Sequence, residues 1–169
     1  LTALVKALGP VQEVIGYSKK TFDKRNVENP EVNYKEINVD VDTHYFGLLK
    51  FKSGIIVDFQ VTFDIWKPYD PKLEIYGDES SLKLADPNNY DGEIFIFDKE
   101  LYQWELIYSS PDSQNNFYRG LGVVNMVEAI KNKTVSEDEL SVPFHILEVM
   151  CSLDSYNLDS GWKKIIQQF

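Results

Sequence analysis

Ile55-Ile56-Val57-Asp58-Phe59-Gln60-Val61-Thr62-Phe63-Asp64-Ile65-Trp66 repeats its side-chain character every second residue. That is the period at which a β-strand turns successive side chains to opposite faces of a sheet. Ile55, Val57, Phe59, Val61, Phe63 and Ile65 form one wholly apolar face, which predicts contact with a core. Ile56, Asp58, Gln60, Thr62, Asp64 and Trp66 form the other, which is amphipathic. Upstream, Ile37 to Phe51 also reads as extended, and Lys52-Ser53-Gly54 is the kind of short Gly-containing link that joins hairpin strands.

Outward from this hairpin the strands continue. Lys72–Tyr76, Ser81–Leu84, Glu93–Phe97 and Tyr102–Tyr108 are separated by Gly77-Asp78, by Asp86-Pro87-Asn88-Asn89 and by Asp98-Lys99-Glu100. Spacers this short favour an antiparallel meander. A further run, Val11 to Ser18, reads as a strand, and segment 23–35, polar and holding Pro30, reads as a loop.

Helical spacing occurs at the two ends. Leu1, Leu4, Val5 and Leu8 share a face that Gly9-Pro10 terminates, and this helix has no Ser, Asp or Asn cap before it, which predicts a piece cut from a longer chain. Near the C-terminus, Val123, Met126, Val127 and Ile130 share one face, and Ile146, Val149, Met150 and Leu153 another, with Ser141 expected as cap and Pro143 in the first turn. Helices segregated from strands predict an α+β fold: an open, predominantly antiparallel sheet with helices packed on one face, in a single domain over 1–169.

Composition narrows the partners. With 17 basic and 27 acidic residues the net charge is -10, which repels nucleic-acid phosphates and anionic lipid. No apolar run approaches the roughly 20 residues of a membrane span. Cys151 is the one cysteine, so an internal disulfide is ruled out and a reducing, cytoplasmic setting is expected.

Individual residues suggest chemistry only weakly. Gly120-Leu121-Gly122 before a helix invites a phosphate-loop reading, but no strand leads into it and Asn125 stands where a third glycine belongs. The two histidines, His44 and His145, would need Cys151 or carboxylates to hold zinc, and His145 and Cys151 point to diverging sides of one helix. No metal is expected. No Gly-x-Ser-x-Gly elbow is present, and Asp40, Asp42 and Glu137-Asp138-Glu139 read as solvated acidic faces rather than acid/base pairs. Asn132-Lys133-Thr134 is formally a glycosylation sequon in a chain without an export signal. Asp64 and Trp66, on the non-core face of the strand, can meet a ligand or partner, or serve the structure. Arg119, in the loop Asn115-Asn116-Phe117-Tyr118, can fork to an anionic or hydroxylated ligand, or pair with a carboxylate.

Five strings in order carry a resemblance. Leu8-Gly9-Pro10-Val11 is similar to "LGPV", and Leu48 to Phe63 to an "LxFxxG" hairpin. Glu74-Ile75-Tyr76-Gly77-Asp78-Glu79 with Leu82 and Asp86-Pro87 is similar to "IYGTEGxLxxxDP". Arg119-Gly120-Leu121-Gly122 with Asn125-Met126-Val127-Glu128-Ala129-Ile130 is similar to "RGxGxxDMxxAI", and His145-Ile146-Leu147-Glu148-Val149 to "HxLEV". Together they resemble the C-terminal domain of the Gfo/Idh/MocA oxidoreductases, the family of glucose-fructose oxidoreductase and inositol dehydrogenase.

The resemblance implies a longer two-domain enzyme. An upstream Rossmann domain would bind NAD or NADP and carry the catalytic Lys, and the family's proton-transferring His would fall before Leu1, so no catalytic or cofactor-binding residue is expected here. The substrate would be a sugar, polyol or related carbonyl compound, with Arg119 and His145 bordering its cleft and Asp64 and Trp66 as looser candidates. His145 can equally be a helix-packing residue. The open sheet face would make a homo-oligomer. Asn125 in place of the family's Asp, and Ser136 to Glu139 where a basic residue is common, leave the substrate open. The alternative is a non-catalytic α+β ligand-binding or dimerisation module.

Overall fold

A computed structural model describes residues 1–27, 31, 36–67, 73–89, 91–110, 120–134, 138–154 and 161–169. The elements run α1 (Thr2–Leu8), β1 (Val11–Lys19), β2 (Lys24–Asn26), β3 (Glu36–Asn38), β4 (His44–Phe51), β5 (Ile56–Thr62), β6 (Leu73–Tyr76), β7 (Ser81–Leu84), β8 (Glu93–Asp98), β9 (Gln103–Ser109), α2 (Leu121–Asn132), α3 (Asp138–Asp154) and β10 (Lys163–Lys164). The α+β class and the antiparallel pairing agree with the sequence patterns. The strands, however, form a four-stranded sheet β10-β1-β4-β5, a two-stranded pair β2-β3 and a four-stranded meander β6-β7-β8-β9 rather than one sheet. The chain divides into two compact units, Leu1–Ile65 with Ser136–Phe169, and Trp66–Val135.

In the first unit the sheet is built on β4. It pairs with β1 from Val11↔Phe51 to Lys19↔His44 and with β5 from His44↔Thr62 to Lys50↔Ile56. The β4–β5 link closes through Gly54, whose φ of 90° suits glycine, with its N–H donating to the Phe51 carbonyl at 2.9 Å. One sheet face packs beneath α3 and α1. There Val5, Val11, Val14, Leu49, Phe51, Val149, Leu153 and Ile165 are buried, with Val57 and Phe59 of β5 against them. The opposite face carries Ile15, Tyr17, Phe46 and Leu48, paired as Ile15↔Leu48 and Tyr17↔Phe46. Phe46 and Leu48 are exposed.

Three details differ from the sequence pattern. The apolar face of 55–65 meets the core only at Val57 and Phe59; Ile55, Val61, Phe63 and Ile65 are exposed, because β5 is the sheet edge and its regular part ends at Thr62. Segment 23–35, expected as loop, contains β2, which pairs Lys24↔Asn38, Arg25↔Ile37 and Asn26↔Glu36 with β3. Finally, α3 starts at Asp138, so Ser141 is not its cap and Pro143 falls inside it.

In the second unit, β6 to β9 form the expected meander. Its turns use side chains as caps: the backbone N–H groups of Glu100 and Leu101 donate to the Asp98 carboxylate at 2.7 and 2.9 Å. Trp104 lies beside Phe97 with ring centroids 5.3 Å apart, and the Lys83 ammonium sits 4.1 Å from the Trp104 ring centre. All six large apolar residues of α2 from Leu121 to Ile130 are exposed.

Candidate functional site

Asp64 follows β5, where the chain turns towards β2. Its carboxylate accepts hydrogen bonds from Thr21 Oγ1 at 2.6 Å, Thr43 Oγ1 at 2.7 Å and Arg25 Nη2 at 2.5 Å. The Arg25 guanidinium also donates to the Phe63 carbonyl at 2.6 Å. The Asp64 side chain is 8% exposed, and these three bonds tie β2 to the β4–β5 ends. The hydrogen bond from Thr21 is the leading cause that holds its carboxyl below the ordinary 3.8, with Thr43 and Arg25 adding to it.

A depressed carboxylate contributes stability that is present above its unfolded value and is lost as pH falls through the folded one. Native protein is therefore expected to lose urea resistance on acidification below the ordinary carboxylate range, and Asp64→Asn to lose less over the same interval. Urea midpoints for both proteins at neutral and acid pH check this; parallel losses would contradict it.

His145 lies in the middle of α3, facing the core, and is fully buried. The Val11 N–H donates to its Nε2 at 2.9 Å, so Nε2 carries no proton. Nδ1 therefore holds the proton and donates to the Gln167 carbonyl at 2.5 Å. The Phe169 ring packs edge-on with centroids 5.3 Å apart. Of the two readings of His145, the packing one describes this position: both nitrogens are occupied and no surface faces a cleft. One turn on, the Glu148 carboxylate accepts from the backbone N–H groups of Ile166 at 2.8 Å and Gln167 at 2.7 Å.

The sequence candidates do not converge. Thr43 and Asp64 stand at the His44 end of β4 and Val11 with His145 at the Phe51 end, so Asp64 and His145 are roughly 20 Å apart along an eight-residue strand. Trp66 is fully exposed and opens the second unit. Arg119 and its Asn115–Tyr118 loop lie outside the described residues. Among the described residues no three His, Cys, Asp or Glu side chains gather as a metal set.

Two hollows stand out instead. In the first unit a cavity of 580 Å³ opens between α3, the start of α1 and the β4–β5 edge, lined by Tyr45, Phe59, Val61, Ile146, Met150 and Asp154 among others. Its lining is mostly apolar. The Tyr45 hydroxyl donates to Asp154 Oδ1 at 2.6 Å, and desolvation, then the Asp154 bond and charge, push the phenol up to about 12. At neutral pH this pair offers a neutral donor already engaged and a carboxylate with acceptor capacity left. Sequence reasoning did not single out these two residues, although strand alternation puts Tyr45 on the core face with Gly47 and Leu49, and Asp154 follows Ile146 and Met150 at steps of four. In the second unit a polar hollow of 580 Å³ is lined by Lys83, Asp86, Asp91, Glu93, Ser109 and Ser110 with their neighbours.

A nicotinamide dinucleotide, implied by the sequence resemblance, does not fit these residues. Every strand pairing among the described residues is antiparallel, so they contain no parallel β-α-β unit to bring a helix N-terminus to a pyrophosphate.

Residues 1–83 match the family model described as the GFO/IDH/MocA C-terminal domain, which bears out the resemblance read from the sequence strings. No curated protein matches the sequence. Among solved structures, levoglucosan dehydrogenase in its apo form is similar with a TM-score of 0.66 and 13% identity, over 97% of this chain and 48% of that one. Levoglucosan dehydrogenase in complex with NADH and L-sorbose is similar with a TM-score of 0.64 and 15% identity, over 98% of this chain and 48% of that one. At these identities the likeness is one of fold. The chain spans about half the length of the structures it matches.

Proposed function

We propose, from the match of residues 1–83 to the GFO/IDH/MocA C-terminal domain model, that this is the substrate-side and oligomerisation half of an NAD(P)-dependent dehydrogenase acting on a sugar, polyol or related carbonyl compound. The observation that carries the reading is a fold shared over nearly the whole chain with half of a dehydrogenase. The cofactor belongs to a separate Rossmann domain, and hydride transfer takes place there. This chain supplies one wall of the substrate cleft, with Arg119 and Trp66 as its contacts, and takes no part in cofactor binding. Asp64 and His145 act within the fold. No helix among the described residues is long and apolar enough to cross a membrane, and the enzyme works in the cytoplasm.

The outer sheet face with Tyr17, Phe46 and Leu48 joins copies of the protein. Exposed apolar side chains such as Phe46 and Leu48 on one sheet face favour an isologous contact.

The test is the complete coding region. Its product should reduce NAD or NADP, followed by nicotinamide absorbance, with at least one member of a panel of sugars and polyols. Residues 1–169 alone should show no dinucleotide binding by calorimetry. Tight NAD or NADP binding by the chain alone, or a coding region without a β-α-β unit, would sink the proposal. A sedimentation profile showing only monomer at high concentration would remove the oligomer part.

A further inference from the structure

We infer that residues Ile165 to Gln168 form a strap, that His145 and Glu148 latch it as one device, and that its seating controls the corner where α1 passes into β1. The inference rests on where the polar groups of His145-Ile146-Leu147-Glu148 go. His145 and Glu148 are one helical turn apart and therefore neighbours on α3. Both grip the same residue of the strap: the Gln167 N–H goes to Glu148 Oε2 at 2.7 Å and the Gln167 carbonyl accepts from His145 Nδ1 at 2.5 Å. Glu148 Oε1 takes the Ile166 N–H as well, at 2.8 Å. The carboxylate is the stronger acceptor because it is charged.

On its other side the strap reaches the α1–β1 corner. The Ile165 N–H donates to the Gln12 carbonyl at 2.9 Å, and Gln168 Nε2 donates to the Val11 carbonyl at 3.1 Å. The Val11 N–H, first in β1, is satisfied by His145 Nε2. The imidazole is thus a bridge with a backbone group at each nitrogen: it can hold Val11 in place only while Gln167 fixes its ring and its tautomer. Gly9 turns the chain between α1 and β1 with a φ of 85°, and its N–H donates to the Val5 carbonyl at 3.0 Å. Buried Ile165 anchors the strap in the core.

The hydrogen bonds of Glu148 go to Ile166 and Gln167, and the Val11 N–H is held by His145 instead, which separates the device from a local contact. Amide hydrogen exchange on Glu148→Gln should show Ile166 and Gln167 exchanging about tenfold faster or more, the scale of one lost charge-assisted hydrogen bond, and Val11 accelerated with them. Leu49 and Val57, in the β4–β5 pair, should keep their native rates. Gln168→Ala, which leaves the core intact, should speed the same three amides by a smaller factor. Acceleration confined to Ile166 and Gln167 would overturn the coupling. Equal acceleration at all sites, or none, would overturn the strap as a separable element.

Discussion

Gly47→Ala is expected to cost about 3 kcal/mol or more of stability and to lower the thermal midpoint by roughly 10 °C. Gly47 faces Gly16 across the β1–β4 pair. A Cβ on Gly47 would lie 2.3 Å from the Ile15 carbonyl oxygen and 2.8 Å from the Gly16 Cα. Both obstacles are backbone in a paired strand, so relief requires the two strands to separate. A Cβ on Gly16 would meet the Phe46 carbonyl oxygen at 2.8 Å and Leu153 Cδ2 at 3.0 Å. Gly47 thus lets β1 and β4 approach closely, while Gly16 leaves room for Leu153 of α3 on the same pair of strands. Gly122→Ala is the matched control. It sits within α2 with nothing inside 4 Å of the added atom and should gain about 0.5–1 kcal/mol from helix propensity. Urea denaturation of both variants checks the contrast; a Gly47→Ala protein as stable as the native one would show that the strands are not so close.

His145→Ala is expected to cost about 3–4 kcal/mol, from the cavity left by the ring and from one buried and one half-buried backbone group that lose their partners. Those groups are the Val11 N–H and the Gln167 carbonyl. Met150→Ala, five residues along the same helix at a half-exposed position, should cost below about 1 kcal/mol. Denaturant midpoints with an unchanged slope make the comparison clean. Equal, small losses at the two positions would mean that His145 faces solvent or a cleft and that its bonds to Val11 and Gln167 are not formed.

The contrast between these two positions also marks how much was legible beforehand. Spacing at 3.6 residues placed Val149 and Leu153 on the buried side of α3, and both are buried. The same spacing set Met150 with them and said nothing of His145, whose polar ring fits a core position only when two partners wait for its nitrogens. The meander from β6 to β9 was readable from its turns. The β2–β3 pair was not, because Lys24-Arg25-Asn26 and Glu36-Ile37-Asn38 are too short and polar to show a period. Contacts beyond the pair help hold it, including the Arg25–Asp64 bond across 39 positions of chain. Asp64 falls two residues beyond the end of β5, and that its carboxylate would meet Thr21, Thr43 and Arg25 depended on where those residues folded to.

Local periodicity and turn residues in the sequence determined the α+β class and the antiparallel strands, and its family strings carried the resemblance that the match over residues 1–83 bears out. They could do so because alternation, helical spacing and glycine at a turn each depend on residues within a few positions of one another. Only the tertiary structure decided what the polar groups do. Val11 and His145 are 134 positions apart, and a hydrogen bond takes its partner from whatever the fold brings within 3 Å, so no window along the chain could show that the histidine belongs to the core.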